Sequence, residues 1–292
     1  MSERAPISIA VIPAAGQATR FLPASKAIPK ELFPLVDKPV LQYALEEIAA
    51  SGIGQALVIT AAGKEAMEAY FDRAGDLEAT LQRRGDQRLL EAVQRPRTLA
   101  SLAFLRQGEP RGLGHAVLVA KPWVGDRPFA VLLPDDLIWG AAPGLAQLIA
   151  AHRETGASVL ALERVPREAI SGYGVVAVEP VRPRFYRITA LVEKPSPDKA
   201  PSDLAIVGRY VLTPGVFAAL EQTTPGARDE IQLTDGIARL LESEPVYGLE
   251  LEGTRYDTGT PLGFLYAAVA LALERPDIGP ALREMLGRLL AH

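Results

Sequence analysis

The sequence predicts an α/β fold, a mixed and mainly parallel sheet flanked by helices. Three observations predict it. Short apolar, β-branched runs alternate with helix-spaced segments through residues 7–162, an order that packs naturally as a doubly wound, Rossmann-like sheet. The first run, ISIAVIP at residues 7–13, is apolar at nearly every position, as suits a strand buried on both faces of a parallel sheet. Hydrophobic residues make up 48% of the 292-residue chain, which is ample for such a core.

The elements follow in order. After the strand at 7–13, residues 14–20 read as a loop. Leu41, Leu45, Ile48 and Ala49 recur at helical spacing and Ser51-Gly52 closes that helix, after which residues 55–60 return to strand. This completes a βαβ unit. Alternation continues with a helix over 64–73, a polar segment over 75–97 given no element, a strand at 102–106 and a helix at 114–121. A strand at 129–133 runs into Pro134-Asp135-Asp136, followed by a helix at 143–155 and a strand at 158–162. Beyond that point the pattern turns β-rich, with pieces at 174–178, 186–192 and 205–212 separated by turns such as Pro195-Ser196-Pro197. These strands are expected to extend the sheet into a further lobe. Helices at 214–222, 232–242, 261–274 and 280–290, with a strand at 246–251, complete the chain.

Composition narrows the chemistry. The chain has no cysteine, which excludes disulfides, thiolate catalysis and cysteine zinc sites, and its three histidines, His115, His152 and His292, leave little for a histidine metal cluster. Any metal is expected to be hard and held by carboxylates. A net charge of −4 and the lack of a long Lys/Arg run argue against nucleic acid as a partner. No apolar run reaches the roughly 20 residues needed to span a bilayer, and the polar N-terminal lead into a strand lacks the pattern of a secretion signal. A cytoplasmic protein that does not enter the membrane is expected.

Several segments carry candidate chemistry. Ala14-Ala15-Gly16-Gln17-Ala18-Thr19-Arg20 follows a strand and leads to Lys26, Lys30 and Glu31. Small residues let backbone N–H groups approach phosphate oxygens, and the cations offset charge there; a tight βα turn with exposed basic residues fits the same composition. The segment lacks both GxxxxGK[ST] and GxGxxG, so neither standard phosphate-loop reading applies. Gln107, in the Gly-rich stretch from Arg106 to Val117, offers a primary amide that can read a pyrimidine edge. His115 in that stretch reads as a packed or capping histidine. Asp135 and Asp136 end an apolar strand, the edge of an open sheet where ligands bind, although adjacent aspartates also suit a solvated turn or helix cap. Asp257-Thr258-Gly259 precedes a helix and is equally an ordinary N-cap arrangement. Gly172-Tyr173-Gly174-Val175, Leu191-Val192-Glu193-Lys194-Pro195 and Ala205-Ile206-Val207-Gly208-Arg209-Tyr210 are grouped as a sugar-phosphate site, in which Glu193 and Lys194 can bind sugar hydroxyls and a phosphate, or form a surface salt pair. Asp229-Glu230-Ile231-Gln232-Leu233-Thr234-Asp235 reads as helix capping, by Asp229 or Thr234.

The run IAVIPAAGQATRFLPASKAIPKELFPLVDKPVLQYALEEIAASGI, with QG…GLGHAV, the aspartate strand end, VEKP and YDTGTP in order, resembles the bacterial UTP:glucose-1-phosphate uridylyltransferases of the nucleotidyltransferase family over residues 9–272. The resemblance implies transfer of a uridylyl group from UTP to glucose 1-phosphate with Mg²⁺. It implies Arg20 and Lys30 as catalytic contacts to the triphosphate, and Ala15, Gly16, Glu31, Gln107 and Gly112 around the uracil. It further implies Gly174, Glu193 and Lys194 on the sugar phosphate, and Asp135 and Asp257 as metal ligands. Its division of the chain would be one domain over 1–292, with a nucleotide part at about 7–160, a β-rich sugar-phosphate extension at about 161–260 and C-terminal helices at about 261–292. A homo-oligomer, dimer or tetramer, is implied as well. Two readings compete: a thymidylyltransferase making dTDP-glucose, and a catalytically weak nucleotide-binding paralogue. The sequence departs from the family at Ala18, where relatives carry Gly. The retained Thr19 and Arg20 lead us to expect a negative φ there, where a Cβ is harmless.

Overall fold

The computed structural model describes residues 5–226 and 229–291; the first four residues of the polar lead and His292 lie outside them. The chain opens with β1 (Ile9–Pro13), a small separate hairpin of β2 (Pro34–Leu35) and β3 (Lys38–Pro39), α1 (Val40–Ala50) and β4 (Gln55–Thr60). There follow α2 (Ala66–Phe71), α3 (Gly75–Arg84), α4 (Gln87–Gln94), β5 (Ser101–Arg106), α5 (Leu113–Val119), α6 (Lys121–Val124) and β6 (Phe129–Leu132). β5, β4, β1 and β6 lie side by side and parallel, with Ala10 opposite Ala56 on one flank and Ala130 on the other.

The second part contains β7 (Asp136–Trp139), α7 (Gly144–Thr155), β8 (Ser158–Arg164), β9 (Gly174–Arg182), β10 (Phe185–Glu193) and β11 (Leu204–Leu212). It ends with α8 (Gly215–Glu221), α9 (Leu233–Leu240), β12 (Val246–Glu250), β13 (Thr254–Asp257), α10 (Pro261–Glu274) and α11 (Gly279–Leu290). β11 inserts antiparallel between β6 and β8, and the sheet continues through β12, β10 and β9 in a nine-stranded order. An extra bridge between Ala205 of β11 and Val175 of β9 folds the β9–β10 ribbon back across the sheet.

Alternating side chains of each strand point to opposite faces. Val11, Leu57, Phe129 and Leu160 therefore pack under α5, α8 and α9, with Phe129 stacked on Phe217 at 5.0 Å. Ala10, Ile12, Val58 and Leu132 pack under α1, α2 and α7. Helices cover both faces, which is why the strands read as continuous apolar runs. A third cluster, with Leu35, Tyr43, Leu137, Tyr256 and Leu271, seats the β2–β3 hairpin and the β7–β13 pair on α10.

The expected α/β fold is the observed one. The segment over 75–97, read as having no element, instead folds as α3 and α4. Gly85 ends α3 in the left-handed region at φ 69°, and the Asp86 side chain caps α4 by accepting from the Leu89 N–H. β7 and β13 were not expected either; they form a separate two-stranded sheet in which Asp257 pairs with Asp136. The helix start at Leu233 corrects another reading: its N-cap is Gln232, with no side-chain capping bond from Asp229 or Thr234.

Candidate active site

The carboxyl ends of β1, β5 and β6 and the folded-back β9–β10 ribbon enclose a cleft of about 680 Å³. Arg20, Lys30, Ala15, Gly16, Glu31, Gln107, Gly112, Gly174, Glu193, Lys194, Asp135 and Asp257, singled out from distant parts of the sequence, all line it.

One wall is the loop after β1. The Ala14 N–H donates to the Ile59 carbonyl at 2.8 Å, so pairing with β4 continues past the strand end before the chain turns away. Ala18 then sits at φ 53°, ψ 39°, in the left-handed region. This corrects the expected negative φ: the loop does need the conformation that glycine adopts freely, and alanine bears the strain. The Ala18 carbonyl accepts from the Phe21 N–H at 3.0 Å and the Ser25 hydroxyl at 2.9 Å, and these bonds hold the turn. Phe21 packs edge-on against Phe33 and Phe264, tying the loop to α10.

Lys64 braces the same loop from behind. Its ammonium donates to the Ala14 carbonyl at 2.5 Å and to both Glu31 oxygens at 3.0 and 2.9 Å. Glu31 is almost fully buried, so the pair is satisfied internally. Lys64 was invisible as a site residue in the sequence; the signal available was a buried acid that needs a cation.

Lys30 reaches across the cleft floor to the Asp135 carboxylate. Burial pulls the Lys30 ammonium down, but Asp135 outweighs it and leaves Lys30 above its ordinary value. Burial likewise pushes the Asp135 carboxyl up, and Lys30 more than reverses this, holding it below the usual range. Both groups are charged at neutral pH. The Thr258 N–H and hydroxyl both donate to the Asp135 carbonyl, at 2.7 and 2.8 Å, which clamps the Asp257 turn onto the Asp135 turn. A Cβ on Gly259 would lie 3.0 Å from an Asp257 oxygen and 3.1 Å from an Asp135 oxygen, so the two carboxylates border one small space. The N-cap reading of Asp257 is thereby set aside: Thr260 caps α10, accepting from the Gly263 N–H, and the Asp257 carboxylate accepts from the Gly259 N–H at 2.8 Å.

Beneath these aspartates lies a charge network that the sequence reading missed. Asp136 is buried, accepting from the Gly208 N–H at 2.8 Å and pairing with Arg255 at 2.6 Å. Arg255 also bonds Glu163 at 3.0 Å and lies over the Tyr173 ring. Arg209, fully buried, forms a two-pronged pair with Glu47 at 2.9 and 2.7 Å and donates to the Leu133 and Gly208 carbonyls. Glu47 in turn accepts from the Leu145 N–H at the start of α7. Arg209 stands in an otherwise apolar strand, and that was the signal that could have found it, since a buried charge must be paired.

The opposite wall follows from strand register. Glu193 and Gly174 are cross-strand neighbours of β10 and β9. A Cβ at Gly174 would come within 2.8 Å of the Thr234 hydroxyl and 3.2 Å of a Glu193 oxygen, so only glycine fits. Lys194 turns at φ 46° and its ammonium sits 2.8 Å from Glu193, with its side chain about half exposed at the cleft mouth. Gln107 and Gly112 form the remaining corner; Gly112, at φ 94°, lies so close to Ile231 that a Cβ would meet its carbonyl at 2.7 Å. Next to it, His115 is no cap, because the N-cap of α5 is Gly112; its ring instead contacts the Gln107 amide at 3.1 Å.

A family model described as nucleotidyl transferase matches residues 9–274. The chain belongs to the nucleotidyl transferase family. Among its relatives, a UTP:glucose-1-phosphate uridylyltransferase of Bacillus subtilis (strain 168) is 44% identical over 281 residues, covering 96% of each chain. Among solved structures, a UTP-bound UGPase from Acinetobacter baumannii superposes with a TM-score of 0.89 at 38% identity, covering 96% of this chain and 98% of that one. A UDP-glucose pyrophosphorylase complexed with UDP-glucose gives 0.85 at 36% identity, covering 92% and 100%. This nucleotidyl transferase has no helix among its described residues that is long and apolar enough to cross a membrane.

Proposed function

We propose that this nucleotidyl transferase moves a uridylyl group from UTP to glucose 1-phosphate, releasing pyrophosphate and UDP-glucose. The observation that carries the proposal is the convergence of cations on both walls and two carboxylates on the floor of one cleft large enough for both substrates. The names of the relatives supply the substrate class; the geometry of this chain supplies a reason for each role.

An oxygen of the glucose 1-phosphate attacks the α-phosphorus of UTP, the bond to the bridging oxygen breaks, and pyrophosphate leaves with the electron pair. No nucleophilic side chain is needed, because the phosphate monoester is itself a nucleophile near neutral pH. The chain's task is to position two anions and lower their repulsion. Arg20 and Lys30 offset charge on the triphosphate, the backbone of Ala15 and Gly16 and the side chains of Glu31 and Gln107 border the base, and Gly112 closes that pocket. On the sugar side Glu193 accepts from hydroxyls, Lys194 restrains the incoming phosphate and the Gly174 backbone lies against the sugar.

Asp135 and Asp257 would hold Mg²⁺. No group of three or more acids and histidines able to hold a metal exists among the described residues, and two carboxylates bordering one space suit an ion that keeps waters and takes its remaining ligands from phosphate oxygens. When bound it would draw off charge developing on those oxygens.

Ala18 supports a second reading, a weakened nucleotide site, because the strain observed there sits in the triphosphate loop. Steady-state pyrophosphate release with UTP and with dTTP, across several sugar 1-phosphates and with or without Mg²⁺, tests all of this. We expect Mg²⁺-dependent turnover with UTP and glucose 1-phosphate. A large preference for dTTP, or UTP binding without turnover, would defeat the proposal.

A further inference from the structure

Gln107 is buried at the end of β5, and its backbone N–H donates to the Thr60 carbonyl at 2.9 Å. Its side-chain nitrogen lies 3.1 Å from the Gly112 carbonyl oxygen and 3.1 Å from His115 Nδ1. A carbonyl oxygen only accepts, so the amide atom facing it has to be the nitrogen. The same nitrogen then donates its second hydrogen to His115, which makes Nδ1 an acceptor and places the ring proton on Nε2. Both N–H bonds of the amide are spent inside the wall. Oε1 is the one amide atom left for a ligand in the cleft.

The backbone that carries both acceptors is itself fixed. The Gly112 carbonyl also accepts from the Ala116 N–H at 3.1 Å, inside α5. The flanking backbone is bolted to the strip before α9, with the Ile231 N–H donating to the Arg111 carbonyl and the Gly114 N–H to the Ile231 carbonyl, each at 2.8 Å.

We propose that His115 is a positioning residue: with the Gly112 carbonyl it locks the Gln107 amide so that only an acceptor faces the nucleobase, which selects a pyrimidine carrying hydrogen on N3. Uracil donates its N3–H to Oε1. Cytosine presents an N3 lone pair to the same oxygen and is repelled. Thymine also carries N3–H, so this device does not separate UTP from dTTP. The inference rests on the proposed nucleotide site but not on the sugar acceptor, and it deepens a motif that the sequence left as a packed histidine.

The test compares His115→Leu, which removes the acceptor, with His115→Asn, which can return an oxygen to the position of Nδ1. Calorimetric affinities for UTP and CTP are measured on each full-length variant, with thermal unfolding as a check on folding, and KM and kcat for UTP are taken alongside. We expect His115→Leu to lower the UTP-to-CTP affinity ratio about tenfold, raising KM for UTP while kcat stays within about twofold, and His115→Asn to restore most of the ratio. An unchanged ratio in His115→Leu, an equal loss in His115→Asn, or a wild type without preference for UTP overturns the proposal. A wild type that prefers UTP yet makes no UDP-glucose defeats the uridylyl reading instead.

Discussion

Ala18→Gly probes the loop strain directly. Alanine at φ 53° costs about 1–2 kcal/mol relative to a right-handed conformation. Replacing it with glycine removes that cost, and the greater freedom of glycine in the unfolded chain takes back about 0.4–1 kcal/mol. The bonds from Phe21 and Ser25 end on the Ala18 carbonyl and survive the change. The net gain therefore lies between about 0 and 1.6 kcal/mol, centred near about 0.8 kcal/mol, or roughly 1–3 °C in Tm at the centre for a chain of this size. Differential scanning calorimetry measures it, with KM for UTP followed in parallel. A fall in Tm of a degree or more would refute the reasoning, because it would mean that only the entropy of glycine was felt and no strain was present to relieve.

Glu47→Ala strands the fully buried Arg209 guanidinium and removes the acceptor for the Leu145 N–H; about 3–5 kcal/mol should be lost, lowering Tm by about 10 °C in the same calorimeter. Asp135→Asn takes from Lys30 its carboxylate and from the cleft one of the two carboxylates proposed to hold Mg²⁺, and pyrophosphate release should fall roughly 10²–10³-fold in kcat. Burial, and after it Arg111, hold His115 below its ordinary value of 6.5, with Glu109 working against them. The folded state thus binds fewer protons than the unfolded state just below pH 6.5, so the stability this contributes is present above that pH and is lost as pH falls through the lowered value. Denaturant midpoints at pH 7.5 and 5 should show this loss in the wild type and a smaller one in His115→Asn.

The parts of the fold legible in the sequence are those whose signal is local. Strands β1 and β6 are buried on both faces and so are apolar throughout, β4 is apolar between its end residues Gln55 and Thr60, and α10 announces itself through Thr260 and Pro261 at its start. The helices α3 and α4 were not legible because they lie on the surface, where charged side chains dilute the apolar period, and their caps at Gly85 and Asp86 are the only sharp marks. β7 and β13 are four residues each and pair across a long stretch of chain, so neither has a pattern of its own. The same division governs the cleft. Residues with distinctive chemistry in loops or at a strand end, such as Arg20, Asp135 and Glu193, could be picked out one by one. Lys64 and Arg255 could not, because a charged side chain in a polar stretch acquires its meaning only from the partner that folding brings to it, whereas Arg209 stood out as the one charge in an apolar strand. Ala18 is the instructive failure: residue type alone leaves φ undetermined, and its intact neighbours argued for the wrong sign.

The most direct test of uridylyl transfer is mass-spectrometric quantification of UDP-glucose together with released pyrophosphate, using purified protein, UTP, glucose 1-phosphate and Mg²⁺, with Asp257→Asn beside the wild type. The account predicts the two products in equal amounts from the wild type and a loss of both of at least a hundredfold in the variant; wild-type protein that is folded and binds UTP yet yields neither product would contradict it.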